Sequence, residues 1–233
     1  MTSTKTNEEV INALAASSVV DTSQIDILQP SKMSGVLQDI PGVTTRESQN
    51  DPGQSVNIRG LQDFGRVNIL LDGARQDYQI SGHNANGTYY LDPAFVGRAD
   101  VTRGPVSNVY GSGAIGGVVY YTTRGVDDVL SPAQNYGASQ TTGLGSNGQE
   151  ILTSTSGAAR LGTIADLYGQ FVYRGIASYY DGLDTKIADT GSTLAGGLFK
   201  LNFRPIDGQQ IIFTAMTQDY NFANNGTSDV GAR

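Results

Sequence analysis

The chain has 233 residues with 30 glycines, one histidine, no cysteine and a formal charge of −7. That composition excludes disulfides, thiolate metal sites, cysteine nucleophiles and a histidine-rich metal cluster. Neither residues 1–125 (nine basic against twelve acidic, −3) nor residues 126–233 (six against ten, −4) offer the basic face that nucleic-acid binding requires.

Hydrophobic content of 38% is low for one conventional core, and no run approaches the roughly 20 apolar residues of a transmembrane helix. Residues 2–9 are polar. Glu8, Glu9 and Asn12 interrupt the positive start and unbroken apolar run of a signal peptide, so none is expected within this chain. Val19-Val20-Asp21 and Ile25-Asp26-Ile27-Leu28 read as one short edge strand or two. After Pro30 the period changes: Met33, Val36, Leu37 and Ile40 share one helical stripe, with Ser31 as the expected N-cap and Pro41-Gly42 as the stop. Ser55 to Gly60 alternates as a strand, with Arg59 on the face opposite Ile58, and Val67, Ile69 and Leu71 alternate again. Asp72-Gly73 is a two-residue turn signal into Ala74 to Asp77. A loop from Ile80 to Tyr90 precedes the alternating Arg98 to Arg103 and the break at Gly104-Pro105. A small α+β domain ending near Thr123 is the expectation. It places Arg59, Arg75 and Arg103 in or beside strands, where each is either at the surface or, if buried, in need of a carboxylate.

Tyr110-Gly-Ser-Gly-Ala-Ile-Gly-Gly-Val-Val-Tyr-Tyr-Thr-Thr123 admits two incompatible readings. Gly111, Gly113 and Gly116 fit the dinucleotide pattern G-x-G-x-x-G, which works only if a helix leads out so that its amides meet a pyrophosphate. Val118 to Thr123 is instead a run of β-formers. The nucleotide reading requires a helix from about Gly116; the alternative is a tight turn, where backbone passes backbone, feeding a strand.

Five blocks, Val56-Asn-Ile-Arg-Gly60, Val67-Asn-Ile-Leu-Leu-Asp-Gly73, Leu91-Asp-Pro93, Val101-Thr-Arg-Gly-Pro105 and Tyr110 to Gly117, stand in the order found in the plug domain of TonB-dependent outer-membrane receptors. Roughly residues 10–125 resemble that plug. Gly82-His-Asn-Ala-Asn-Gly-Thr-Tyr-Tyr-Leu-Asp-Pro93 is similar, more narrowly, to the heme and hemoglobin receptor branch. The resemblance implies a plug in the lumen of a barrel of about 22 strands, ligand bound at its outer apex, and import energised through TonB. It implies His83 as axial ligand of the heme iron, and Arg59 and Arg103 as contacts from plug to glutamates of the barrel wall. Nothing before Val10 is similar to the TonB-contacting box.

From Asn135 the pattern becomes alternating strands of about ten residues, the signature of a transmembrane β-barrel. Leu167, Gly169, Phe171 and Tyr173 alternate with Tyr168, Gln170, Val172 and Arg174, and Phe199, Leu201 and Phe203 with Lys200, Asn202 and Arg204. The first set of each is expected to face lipid and the second the lumen. Asp207-Gly208 is expected to close a tight periplasmic hairpin, and Tyr180 to Gly191 to form a longer outer loop. About five strands are expected, fewer than the eight or more of a closed pore. The organisation expected is therefore a plug at 1–125 and the first strands of an outer-membrane barrel at 126–233, an N-terminal part of a transporter.

A neutral imidazole offers a lone pair to iron, which suits His83 to heme, against the plainer role of an exposed loop histidine. Tyr89 and Tyr90 are candidates to stack on the porphyrin, against a role anchoring the loop. A lone histidine without a Ser or Asp motif lacks a triad, so no enzyme is expected. The function expected is an outer-membrane receptor for heme, with heme as cargo and TonB, a heme-carrying protein and membrane lipid as partners. A siderophore receptor and a truncated product without function are the alternatives.

Overall fold

The computed structural model describes residues 16–47, 52–62, 65–76, 88–106, 110–146 and 148–222. They form two compact units that divide between Thr123 and Arg124.

The first unit is built on a five-stranded sheet. Its strands are β1 (Ala16–Val20), β4 (Val67–Leu71), β5 (Ala74–Arg75), β6 (Val96–Arg103) and β7 (Gly117–Thr123), in the order β1-β6-β7-β4-β5. β4 and β7 pair in parallel, Val67 opposite Gly117 and Leu71 opposite Tyr121, and the other neighbours are antiparallel. A central strand covered on both sides cannot alternate cleanly between apolar and polar. Val118, Val119, Tyr121 and Thr123 of β7 are all buried, as are Val96, Ala99, Val101 and Thr102 of β6. The turn of β4 into β5 has Asp72 at φ 47° and Gly73 at φ 90°. Both lie in the left-handed region that a two-residue hairpin turn demands.

Two helices and a hairpin complete the unit. Ile25 to Leu28 is not strand: it belongs to helix α1 (Thr22–Leu28). Asp21 caps it, its carboxylate accepting the Gln24 amide at 3.0 Å while the Gln24 side chain accepts the Asp21 amide at 3.1 Å. This reciprocal box satisfies two orphan donors and overrides the strand-like appearance of the run. Only Ile25 is buried, and Ile27 is 82% exposed. Helix α2 (Met33–Leu37) buries the expected stripe of Met33, Val36, Leu37 and the following Ile40. Its N-cap is Lys32, in extended conformation without a side-chain cap, and not Ser31. β2 (Val43–Glu47), which the sequence reading did not assign, pairs antiparallel with β3 (Gln54–Ile58). Arg59 follows β3 at φ 52°, so it leaves the strand and does not alternate with Ile58.

The second unit is an antiparallel meander of β8 (Tyr136–Leu144), β9 (Ile151–Leu161), β10 (Ala165–Ile176), β11 (Ser192–Phe203) and β12 (Ile211–Phe222). Each pairs only with its sequence neighbours, so the sheet is open, with β8 and β12 at its edges. Strand number and alternation are as expected. On β10, Tyr168, Gln170, Val172 and Arg174 are buried, whereas Phe171 and Tyr173 are exposed. The pairing sets Leu167 beside Leu201, Gly169 beside Phe199 and Leu201 beside Phe213, so the apolar set makes one continuous face. The opposite face is joined by polar side chains. Gln170 donates to Ser154 Oγ at 2.9 Å, the Tyr168 hydroxyl donates to Gln170 at 3.0 Å, and Arg174 pairs with Glu150. Arg204 Nη1 lies 2.8 Å from Asp166 Oδ2.

Connections alternate in length from end to end, since the 145–150 and 177–191 links share one end, with the Ala177 amide donating to the Gly148 carbonyl. At the other end Arg204 donates to the carbonyls of Ile164 (2.8 Å) and Thr163 (2.9 Å). Asp207-Gly208 lies at this end, but Phe203 pairs with Ile211. The connection is therefore residues 204–210, longer than a tight hairpin.

Candidate functional site

The segment singled out from sequence is flanked by backbone ties to β4 and β3. His83 lies outside the described residues, within 77–87. On its N-terminal side the Gln76 amide donates to the Ile69 carbonyl of β4 at 2.8 Å. On its C-terminal side Tyr89 bridges β3 in both directions. The Tyr89 amide donates to the Gln54 carbonyl at 2.9 Å, and the Gln54 amide donates to the Tyr89 carbonyl at 3.0 Å.

The Tyr89 side chain points inward. Its ring is 3% exposed and lies 5.6 Å, centroid to centroid, from the fully buried Tyr121 of β7. The two hydroxyls are 2.8 Å apart, and either can be the donor. A buried hydroxyl left without a partner costs about 1–3 kcal/mol, so each ring needs the other. Burial foremost, then the neighbouring Tyr89, pushes the Tyr121 phenol well above its ordinary value, and it stays protonated. An apolar ring with a bonded hydroxyl is held by the core. Tyr90, the next residue, is partly exposed. Asp92 then caps the 3-10 turn Pro93–Phe95, accepting the Ala94 amide at 2.8 Å.

The glycine run is the second fixture. β7 starts at Gly117 and runs to Thr123, so no helix leads out and the dinucleotide reading fails. The glycines are required for space. A Cβ on Gly113 would stand 2.5 Å from the Gly65 carbonyl oxygen, and one on Gly117 would overlap the Thr102 carbonyl. Side chains of β4 and β5 hold the run from below. Asn68 Nδ2 donates to the carbonyls of Tyr110 (3.2 Å) and Ser112 (3.3 Å), and Arg75 Nη1 to that of Ser112 (2.9 Å). Asp72 then ties the β4–β5 turn to the end of β7, accepting from the Thr123 amide at 2.9 Å and hydroxyl at 2.5 Å.

The three arginines separate. Arg75 belongs to the glycine run. Arg103 donates to the carbonyls of Pro41 (2.7 Å) and Ala16 (3.2 Å), which binds β6 to β1 and to the end of α2. Carbonyl oxygens, and not a carboxylate, answer its hydrogen-bonding need. Arg59 is exposed, with its amide donating to Gly42 at 2.8 Å. The sequence reading missed Tyr121, Asn68 and Gln54. Tyr121 was visible only as one more β-former, Asn68 as a polar position of an alternating strand, and Gln54 as the residue before one.

Residues 9–118 match the TonB-dependent receptor plug domain. A hemin receptor of Yersinia pestis is 45% identical over 102 residues, covering 44% of this chain and 14% of that protein. A heme/hemopexin utilization protein C of Haemophilus influenzae is 36% identical over 109 residues, 47% of this chain and 15% of that protein. The match thus spans about one seventh of the length of these relatives. Among solved structures, a double mutant of the Serratia marcescens hemophore receptor HasR, in complex with its hemophore HasA and heme, superposes with a TM-score of 0.85 at 28% identity. That superposition covers 93% of this chain and 33% of the receptor. The FrpB iron transporter of Neisseria meningitidis superposes at 0.73 with 22% identity, over 86% of this chain and 31% of the transporter, a likeness of fold.

Proposed function

We propose that this chain, which belongs to the TonB-dependent receptors, is the plug and first wall strands of a receptor in the cell outer membrane that takes up heme. The observation that carries the reading is the 45% identity to a hemin receptor over 102 residues. A plug followed by an open antiparallel sheet with one apolar face is what such a receptor needs at its N-terminal side. No catalytic role is assigned, and heme is cargo.

His83 is proposed as the axial ligand of the iron, since a neutral imidazole nitrogen is a common haem ligand. Tyr90 is proposed to stack on the porphyrin, and Tyr89 to hold the segment in place. The donor is heme or a heme-carrying protein, import is driven through TonB, and the Phe199–Phe213 face meets lipid. Arg59, exposed beside Gly60, is the plug arginine proposed to reach a wall carboxylate. Arg103, with its donors already on backbone carbonyls, is proposed to reach the wall through its remaining donors only.

Titration of the full chain in detergent with hemin tests the ligand. A Soret change in the wild type that is lost in His83→Ala is expected; identical spectra for the two overturn His83 as ligand. A ferric siderophore bound without any response to hemin would overturn the heme reading itself.

A further inference from the structure

Thr123 is the last residue of β7, and its amide and hydroxyl both donate to Asp72 of the β4–β5 turn. Two residues later the Gly125 amide donates to Asp128 Oδ2 at 2.7 Å, and the Asp128 amide donates back to the Gly125 carbonyl at 3.2 Å. One residue, Arg124, stands between these two ties. From Gly125 the chain runs to β8 as a built segment. It enters the 3-10 turn Val126–Asp128, and the Leu130 amide donates to the Val126 carbonyl at 2.8 Å. The Gln134 amide donates to the Ser131 carbonyl and the Ser131 amide to the Gln134 side chain, each at 2.9 Å.

Arg160 of β9 gathers this segment. Its Nη1 donates to the carbonyls of Ser131 (2.8 Å) and Gln134 (3.2 Å), and its Nη2 donates to that of Leu130 (3.4 Å) and pairs with Asp127. Its amide donates to the Asn135 carbonyl at 2.7 Å. A guanidinium, with five donors in a fixed fork, can serve that many acceptors at once, whereas an ammonium on a flexible stem covers fewer. Leu130 is buried on the bare backbone of Gly137 in β8, where a Cβ would stand 2.7 Å from Leu130 Cδ2. Asp127 is 94% exposed, so its pairing is screened and the carbonyl bonds do most of the holding.

We infer that residues 125–135 are a strap belonging to the meander, that Arg160 is the residue holding it, and that the plug can loosen up to Thr123 while the strap stays in place. In the receptor reading above, a plug that rearranges for cargo therefore leaves the strap behind on the wall strands.

Hydrogen exchange on the full chain in detergent micelles, measured without hemin, tests both parts, so a failure of the heme reading leaves every readout in place. Arg160→Ala is expected to speed exchange at the Leu130 and Gln134 amides by about tenfold or more, while the amides of β10 and β11 keep wild-type protection. Arg160→Lys should fall between the two, and Asp127→Asn should stay within about twofold of wild type. Unchanged strap amides in Arg160→Ala overturn the role of Arg160. A rise shared equally by β10 overturns it too, since it makes Arg160 a residue of general stability. Gly117→Ala tests the allegiance of the strap. Placed in the plug sheet, it should raise exchange at the Thr123 amide by about tenfold or more and leave Leu130 and Gln134 unchanged. Strap amides that lose protection together with Thr123 assign residues 125–135 to the plug and overturn the inference.

Discussion

Glycine does opposite work in the two units. In the first, Gly113, Gly116 and Gly117 sit where a Cβ would strike the Gly65 carbonyl, the Leu61 side chain and the Thr102 carbonyl. In the second, Gly169 on β10 has nothing within 4 Å of the position a Cβ would take. The plug is therefore packed backbone against backbone around its glycine run, and a methyl group has nowhere to go. The meander is packed by side-chain alternation, and Gly169 is a gap on its apolar face. The same residue type thus marks a close approach at Gly117 and spare room at Gly169, and only the structure separates them.

The sharpest way to break the comparison is Gly117→Ala. Gly117 combines φ 144° with the overlap on Thr102, so strain and overpacking together are expected to cost roughly 3–5 kcal/mol. Chemical denaturation read by tyrosine fluorescence measures it. Gly169→Ala serves as its control, within about 0.5 kcal/mol of wild type. On the meander, Phe199→Arg places a charge in the middle of the apolar face and should cost about 2–4 kcal/mol of folding into a bilayer, measured as insertion into vesicles. Asp72→Asn keeps a side chain that tolerates the left-handed turn but leaves one of the two Thr123 donors unanswered. A loss of about 1–2 kcal/mol is expected, read from the same denaturation curves.

The smallest effect belongs to α1. Asp21→Ala removes the cap and should cost about 1 kcal/mol. Hydrogen bonds from Ser23 and from the Gln24 amide hold the Asp21 carboxyl below the ordinary carboxylate range. Its contribution is therefore full above the unfolded value and disappears as pH falls through the depressed folded one. Wild type and Asp21→Ala should begin to converge in stability as pH falls below about 4, and a gap that persists into stronger acid would assign the cap to packing alone.

Legibility from sequence follows the same division. β8 to β12 were readable because one face is apolar and the other polar, which makes a period of two. β4 and β6 were readable by alternation and β7 as a run of β-formers. α1 was not, since a single buried residue, Ile25, gives no stripe, and its signal was the spacing of Asp21 and Gln24. β2 was hidden because Val43-Thr-Thr-Arg-Glu47 has one buried apolar residue, Val43, at its start. At the candidate site the tyrosine pair was visible as a choice between stacking and anchoring. The residue that Tyr89 bonds, Tyr121, lies 32 residues downstream, where no local pattern points back to Tyr89.

The parallel pairing of β4 with β7 sets an order of events as the chain is made. Each meander strand meets its partner across one connection, so that sheet can grow hairpin by hairpin from β8 onward. The plug sheet has no such route: β4 must wait for β7, and β1, at residues 16–20, waits for β6, at 96–103. Pairings over such separations are slow to close. The plug sheet therefore stays open until Thr123 has been made, with its apolar strands uncovered until then.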